Sequence, residues 1–127
     1  MDQHWSQLLD YDQQHVWHPY AKLPNPVQAI GVKQTQGSII TLADDRELID
    51  GMSSWWSVIH GYNHPAINQA LHTQIDQFSH VMFGGLTHQP AISLGQKLVE
   101  MSPPTLTRVF FSDSGSVSVE VALKMAI

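Results

Sequence analysis

The sequence contains no cysteine, which excludes disulfide bonds, thiolate zinc sites and cysteine nucleophiles. Charged residues are also scarce, at 13% of the 127 residues, whereas globular chains carry about 25%. Hydrophobic residues make up 43%. Because the chain has little charged surface for so much apolar content, we expect other parts of a protein to cover it.

Positive charge is limited as well. The sequence has six Lys and Arg residues and eleven Asp and Glu residues, which give a net charge of -5. No basic stripe favours a nucleic-acid partner. No apolar run approaches the roughly 18 residues of a membrane span, and the N-terminus lacks the charged and apolar regions of a signal peptide. The sequence therefore predicts a cytoplasmic protein without nucleic-acid or membrane partners.

The first half of the chain predicts a short helix over Gln7–His15 and a β-hairpin. The hairpin pairs the β-branched run Ser38–Leu42 with Glu47–Asp50 around a turn at Asp44 and Asp45. A tryptophan pair follows shortly afterwards, at positions 55 and 56. Neighbours in a strand point to opposite faces, so we expect one of the two rings to line a surface or a pocket.

The second half predicts helices around one short strand. A helix begins at Pro65 and carries apolar residues at helical spacing from Ile67 to Met82. A second helix runs from about Gln89 to Met101, and Val109–Phe111 is predicted as a short buried strand. A turn and a terminal helix follow. Helix, strand, turn and helix in this order predict an α/β layer architecture.

The turn Ser112–Ser116 is a candidate phosphate site. Free N–H groups and the dipole at a helix start favour an anion, Gly115 permits close approach of the backbone, and Ser114 and Ser116 add hydroxyl donors. The sequence does not match a P-loop, G-x-G-x-x-G or G-x-S-x-G, since Val119 occupies the last position of that pattern. Simple capping of the helix by serine is the alternative reading.

Histidine is abundant, with eight residues, but no metal site is predicted. His60 and His64 are four apart, yet the glycine, asparagine and proline around them disfavour the helix that this spacing needs. His80 and His88 flank Gly84–Gly85, and we expect them to have hydrogen-bonded structural roles. No Ser-His-Asp arrangement or paired carboxylates stand out.

Aromatic residues form a second candidate set. Trp17, Tyr20, Trp55 and Trp56 combine flat apolar faces with polar groups, which suits the wall of a ligand pocket. Ordinary core packing is the alternative, since large aromatic residues are usually buried.

Five segments resemble one protein family, the adenosylmethionine–8-amino-7-oxononanoate aminotransferases of biotin synthesis, within the class III aminotransferases. The resemblance extends over residues 11–126. The pattern D-G-x-x-x-x-W with H-x-x-I/L is shared widely across class III, whereas the Trp-His-Pro-Tyr and Met-Ser-Ser-Trp-Trp pieces are much more specific. The segments are residues 17–20, 50–56, 60–65, 80–85 and 113–117.

The resemblance implies a fold type I, α/β architecture, of which this chain is the N-terminal portion with an incomplete sheet. Residues 1–60 would contribute the hairpin segment of the small domain and part of the substrate wall, and residues 61–127 the start of the large domain. The family is homodimeric and uses pyridoxal 5'-phosphate (PLP). It transfers the amino group of S-adenosylmethionine to 8-amino-7-oxononanoate, giving 7,8-diaminononanoate.

The resemblance also assigns roles to individual residues. Gly115 and Ser116 would bind the cofactor phosphate, and Ser114 lies in the same turn and would assist. Trp55 would line the substrate pocket, and Tyr20 would contact the substrate. Trp56 matches the motif but receives no role.

The catalytic residues of the family have no counterpart here. The lysine that binds the cofactor and the acid that pairs with its ring nitrogen lie downstream of residue 127 in the family. Lys22, Lys33, Lys97 and Lys124 match no catalytic motif. The apolar helix pattern also ends abruptly at Ile127, so we expect an inactive front piece of a longer protein, poorly soluble when made alone.

Two rival readings stay open. The first is a class III aminotransferase for an ω-amino acid such as ornithine, against which the two specific motifs argue. The second is a truncated, non-catalytic module that only binds a phosphate or only pairs with a complete subunit.

Overall fold

The computed structural model describes residues 3–127. Within this range the chain divides into two compact units, one ending at Ser79 and one comprising His80–Ile127. The predicted division into residues 1–60 and 61–127 concerns the domains of the family fold, and it stays a prediction.

The first unit contains a helix, a three-stranded antiparallel sheet and two further helical segments. The strands are β1 (Val32–Gln36), β2 (Ile39–Leu42) and β3 (Glu47–Ile49), paired in the order β1-β2-β3. Pairing of Ile40 with Leu48 confirms the predicted hairpin. The helices are α1 (Gln3–His15), α2 (Ser53–Trp56) and α3 (Pro65–Gln77).

Strand β1 was absent from the sequence-based prediction. Its residues, Val-Lys-Gln-Thr-Gln, lack the apolar alternation of a half-buried strand, and all but one are exposed. The strand forms because its backbone pairs with β2, from Gln36 opposite Ile39 to Val32 opposite Leu42. Long-range backbone pairing therefore forms a strand that the local sequence pattern does not predict.

The few buried apolar side chains line one cavity of the first unit. Within residues 3–127 they are Leu9, Leu42 and Ala43. Gly31 lies so close to the ring of Trp5 that a Cβ atom there would be 2.8 Å from it. Trp5 is thus packed against the backbone.

The second unit contains α4 (Gln89–Met101) and α5 (Gly115–Ala126). Both helices were predicted close to these bounds. The ring of Phe83 contacts the rings of His88 and Phe111, at centroid distances of 5.6 and 6.2 Å. Large apolar side chains remain accessible on α5: Val117, Val119, Leu123 and Met125.

Two predictions, one in each unit, were wrong. Helix α3 ends at Gln77, before Met82, because Phe78 adopts an extended backbone and the Gln74 side chain donates to its carbonyl at 3.1 Å. The strand at Val109–Phe111 is also not formed. This segment has no strand to pair with among the described residues, and Phe110 is 69% exposed.

Close backbone packing at Gly61 provides a first testable prediction. Gly61 has φ +80°, and a Cβ atom there would lie 3.0 Å from the carbonyl oxygen of Gly37. Replacing Gly61 with alanine should cost about 1 to 2 kcal/mol from the left-handed backbone alone. It should also weaken the bond of 2.7 Å from the Tyr62 N–H to the Gly37 carbonyl.

Amide hydrogen exchange at Tyr62 measures this effect. The matched control is Gly51→Ala, where a Cβ atom meets nothing within 4 Å. Exchange at Tyr62 should accelerate in G61A and stay unchanged in G51A. Equal exchange in the two variants would contradict the prediction.

Candidate functional site

Tyr20 and Trp55, both predicted to contact substrate, meet in the first unit. Their ring centroids are 5.6 Å apart and the rings are inclined by 66°, an edge-to-face arrangement that aromatic pairs favour. Tyr20 is 91% exposed and Trp55 67% exposed. The pair therefore presents apolar ring faces at an open surface instead of filling a core.

Both rings are carried by strained backbone. Tyr20 has φ 62° and Trp55 has φ 55°, in the left-handed region that large side chains rarely adopt. Strained residues of this kind cluster at functional sites, where surrounding contacts hold them. The observed backbone thus marks the aromatic pair as a candidate site.

Helix α2 is a single turn in which every residue from Ser53 to Trp56 has positive φ. Left-handed backbone costs roughly 1 to 2 kcal/mol for each residue other than glycine. Because Trp55 and Trp56 lie in this turn and not in a strand, the expectation that their rings point to opposite faces of a sheet does not apply. Both rings are exposed, Trp56 at 82%.

A cluster of hydrogen bonds connects this turn with Asp50, which precedes it, and with Tyr62, which follows it. Asp50 accepts bonds from the N–H of Met52 at 3.0 Å, the N–H of Ser54 at 2.8 Å and the hydroxyl of Tyr62 at 2.7 Å. The hydroxyls of Ser54 and Tyr62 are also bonded to each other. No local sequence pattern indicates this cluster, because its two ends, Asp50 and Tyr62, lie twelve residues apart.

The cluster shifts two pKa values in opposite directions. The Tyr62 hydrogen bond lowers the pKa of Asp50 below its ordinary value; desolvation opposes this, and the N–H groups of Met52 and Ser54 add to it. For Tyr62, the bond with Ser54 acts to lower the pKa, but the bond and charge of Asp50, with desolvation, outweigh it and raise the pKa. The ionised carboxylate and the neutral phenol are therefore the favoured pair.

The lowered pKa of Asp50 predicts how acid affects the cluster. Its stabilising contribution is complete above the unfolded pKa, near 3.8, and is lost as the pH falls through the lower folded value. Replacing Tyr62 with phenylalanine removes the main donor and should raise the pKa of Asp50 toward 3.8. Carboxyl ¹³C NMR of Asp50 measures this midpoint. Y11F is the control, and an equal midpoint in Y62F and the parent would contradict the prediction.

The predicted phosphate-binding residues lie together in the second unit, at the start of α5. Ser114 is the N-cap, and its hydroxyl accepts the N–H of Val117 at 3.3 Å. The predicted capping is thus present. The N–H groups of Gly115 and Ser116 lie in the first turn, where an α-helix provides no carbonyl partner. They stay available to an anion even though the helix is capped.

Space at Gly115 suits a close ligand. A Cβ atom built there meets nothing within 4 Å, so the glycine is not required by local packing. The turn before it borders a cavity of about 470 Å³, lined by Ser112 and Asp113 and by apolar side chains such as Leu94. The residues at this helix start therefore fit a phosphate group.

Several histidines have structural contacts. His88 caps α4, where its Nδ1 accepts the N–H of Ala91 at 3.3 Å, which confirms the expected role for that residue. The rings of His60 and His64 meet at 6.0 Å. Across residues 3–127, no group of three or more His, Asp or Glu side chains is arranged to hold a metal ion.

A membrane-crossing helix is absent from the part of the chain that the structure describes, since none of its helices is both long and apolar enough.

The sequence matches a family model along most of its length. The model describes class III aminotransferases and matches residues 20–127. An adenosylmethionine-8-amino-7-oxononanoate aminotransferase of Buchnera aphidicola subsp. Baizongia pistaciae is 60% identical over 119 residues. That alignment covers 94% of this chain and 28% of the relative.

Solved structures show the same fold. The adenosylmethionine-8-amino-7-oxononanoate aminotransferase of Methanocaldococcus jannaschii superposes with a TM-score of 0.88 at 30% identity, covering 95% of this chain and 28% of the other. A taurine:2-oxoglutarate aminotransferase of Bifidobacterium kashiwanohense, solved with PLP and glutamate, gives 0.85 at 24%, covering 95% and 27%. The expected fold type I architecture is confirmed. The chain spans little more than a quarter of these proteins.

Proposed function

Because the family model matches residues 20–127, the chain belongs to the class III aminotransferases, and we propose that it serves in the transfer of an amino group from S-adenosylmethionine to 8-amino-7-oxononanoate. The similarity to the Buchnera relative, 60% over 119 residues, is the observation that carries this proposal. The product would be 7,8-diaminononanoate.

The start of α5 would hold the phosphate of PLP. The N–H groups of Gly115 and Ser116 would donate to its oxygens, helped by the positive end of the helix dipole. Ser114 would keep the first turn in place through its bond to Val117. When bound, PLP supplies the electron sink of aminotransfer, and the residues of this chain bind and orient it.

The Tyr20–Trp55 pair would form part of the substrate wall. Its exposed ring faces suit the aliphatic chain of 8-amino-7-oxononanoate, since apolar walls bind such chains by excluding water. The two rings are inclined by 66° to each other. This wall would select the substrate by shape and would not take part in proton transfer.

We further propose that the complete protein is a cytoplasmic homodimer, as the family resemblance implies. The large apolar side chains of α5 that are exposed here, among them Val119 at 61% and Leu123 at 60%, support coverage by further protein. The division at residue 60 between the small and large domains belongs to the same proposal.

A chimera tests the proposed reaction. This chain replaces the matching 119-residue segment of the Buchnera relative, and formation of 7,8-diaminononanoate is followed by mass spectrometry. S-adenosylmethionine and ornithine are offered as alternative donors, and the unchanged relative is the control. We expect turnover with S-adenosylmethionine at a rate close to that of the control.

The outcomes separate the rival functions. A PLP-loaded chimera that prefers ornithine would favour an ω-amino-acid aminotransferase. A chimera that folds and binds PLP but transfers no amino group would favour the non-catalytic module. Either result would overturn the proposal.

A further inference from the structure

The Tyr20–Trp55 pair lies on exposed and strained backbone, so its geometry depends on contacts elsewhere. Four consecutive residues, Ser53–Trp56, have left-handed backbone, and the Trp55 ring is 67% exposed. Core packing therefore cannot account for the position of the ring. The side chains that bond to this turn are the candidates for holding it.

The turn is tied to Asp50 through its backbone. The two carboxylate oxygens accept the N–H groups of Met52 and Ser54 at 3.0 and 2.8 Å, on either side of the first turn residue. A carboxylate is suited to this position because each of its oxygens accepts hydrogen bonds and neither donates one. Tyr62 donates its hydroxyl to the same carboxylate at 2.7 Å and also bonds to the Ser54 hydroxyl.

Both anchoring residues are fixed to the sheet by their own backbones. The Asp50 N–H donates to the carbonyl of Ser38 at 2.8 Å. Tyr62 exchanges two backbone bonds with Gly37, at 2.7 and 3.0 Å. Gly37 and Ser38 form the turn between β1 and β2. A continuous series of hydrogen bonds thus connects the sheet to the backbone that carries Trp55.

We propose that Asp50 and Tyr62 are positioning residues, which hold the Trp55 ring against Tyr20 by tying the left-handed turn to the β1–β2 turn. The role of the two rings as a substrate wall rests on the proposed function. The positioning itself does not, because it is a property of the contacts within this chain.

The experiment is ¹⁹F NMR of the chimera described above, labelled with 5-fluorotryptophan and measured without substrate. The four tryptophans that this chain contributes give signals that are assigned by single Trp→Phe variants. Trp55 reports the wall, and Trp5, which packs against Gly31, reports the rest of the unit. Trp17, whose indole N–H donates to the Ala21 carbonyl at 2.9 Å, is a second reporter outside the turn.

The test variants are Asp50→Asn and Tyr62→Phe. In D50N the amide nitrogen replaces one acceptor, so the variant loses a bond to Tyr62 or to the turn. In Y62F the ring stays and the hydroxyl is lost. We expect the Trp55 signal in each variant to move at least half of the way to its position in urea, while the Trp5 and Trp17 signals stay in place.

Matched controls make the same chemical changes elsewhere. Asp44→Asn alters a turn carboxylate that also accepts two bonds, both from Arg46, at 2.8 and 3.2 Å. Tyr11→Phe removes the hydroxyl of a ring that contacts the His15 ring at a centroid distance of 4.4 Å. All tryptophan signals should keep their parent positions in both controls.

Three results would overturn the proposal. The Trp55 signal could stay in place in D50N and Y62F. The Trp5 and Trp17 signals could move as far as that of Trp55, which would indicate a merely structural role. The parent Trp55 signal could already coincide with its position in urea, which would show that the cluster does not hold the ring. None of these results depends on substrate, so they are distinguishable from failure of the proposed function.

Discussion

No amino transfer is expected from the 127-residue chain when it is purified alone and supplied with PLP, S-adenosylmethionine and 8-amino-7-oxononanoate. Enzymatic aminotransfer with PLP requires a lysine placed to bind the cofactor and move protons. None of the lysines here matches the family's catalytic motif. Lys33 and Lys124 lie on the surface, where they form ion pairs with the exposed carboxylates of Asp45 and Glu120 at 2.6 and 2.8 Å.

Mass spectrometry of 7,8-diaminononanoate measures this, with the chimera as the positive control. A variant with Lys22, Lys33, Lys97 and Lys124 all changed to arginine gives the background of unbound PLP. Turnover by the parent chain above this background would contradict the prediction, and the single variants would then locate the lysine responsible.

The second large effect is expected at Gly115. A carboxylate introduced by Gly115→Asp would lie where the phosphate of PLP is proposed to bind, and repulsion between like charges would add to the loss of space. We expect PLP affinity in the chimera to fall about 100-fold, equivalent to roughly 2.7 kcal/mol. Equilibrium dialysis with absorbance detection of PLP measures the change.

Two further variants separate the effect of the added charge on PLP affinity from the effect of the added side-chain volume. Gly115→Asn has nearly the shape of aspartate without its charge, and Gly115→Ala adds only the Cβ atom, which meets nothing within 4 Å. Alanine should leave the helix intact and even favour it by up to about 1 kcal/mol, while lowering affinity by roughly tenfold. Equal PLP affinity in the aspartate variant and the parent would contradict the phosphate assignment.

Local chemistry allowed the helices of the second unit to be predicted. A proline near the start of α4 and two prolines after it indicate both ends of that helix to within a few residues. Ser114 was expected at the start of α5. These boundaries depend on residues adjacent in sequence: a serine hydroxyl reaches an N–H three residues ahead. The phosphate-binding proposal uses the same helix start.

Features that depend on distant partners were not predictable in the same way. Strand β1 is polar and forms through its backbone bonds to β2. Val109–Phe111 has the composition of a strand, yet composition does not supply the neighbouring strand that a ladder needs. The left-handed turn that carries Trp55 requires bonds from Asp50 and from Tyr62, which no local pattern connects.

The aromatic site combines both kinds of information. The resemblance assigned Tyr20 and Trp55 to the substrate without any geometry between them, and they are separated by 34 intervening residues. The structure brings their rings to 5.6 Å and shows the strained backbone beneath each. The residues of the proposed wall were thus available from sequence motifs, but the geometry of the two rings and the contacts around them were not.

A crystal structure of the chimera with PLP and 8-amino-7-oxononanoate tests the central claim most directly. The account predicts phosphate oxygens within about 3.2 Å of the Gly115 and Ser116 nitrogens. It also predicts substrate carbons within about 4.5 Å of the Tyr20 and Trp55 rings. A phosphate bound away from the start of α5, or a substrate that touches neither ring, would contradict it.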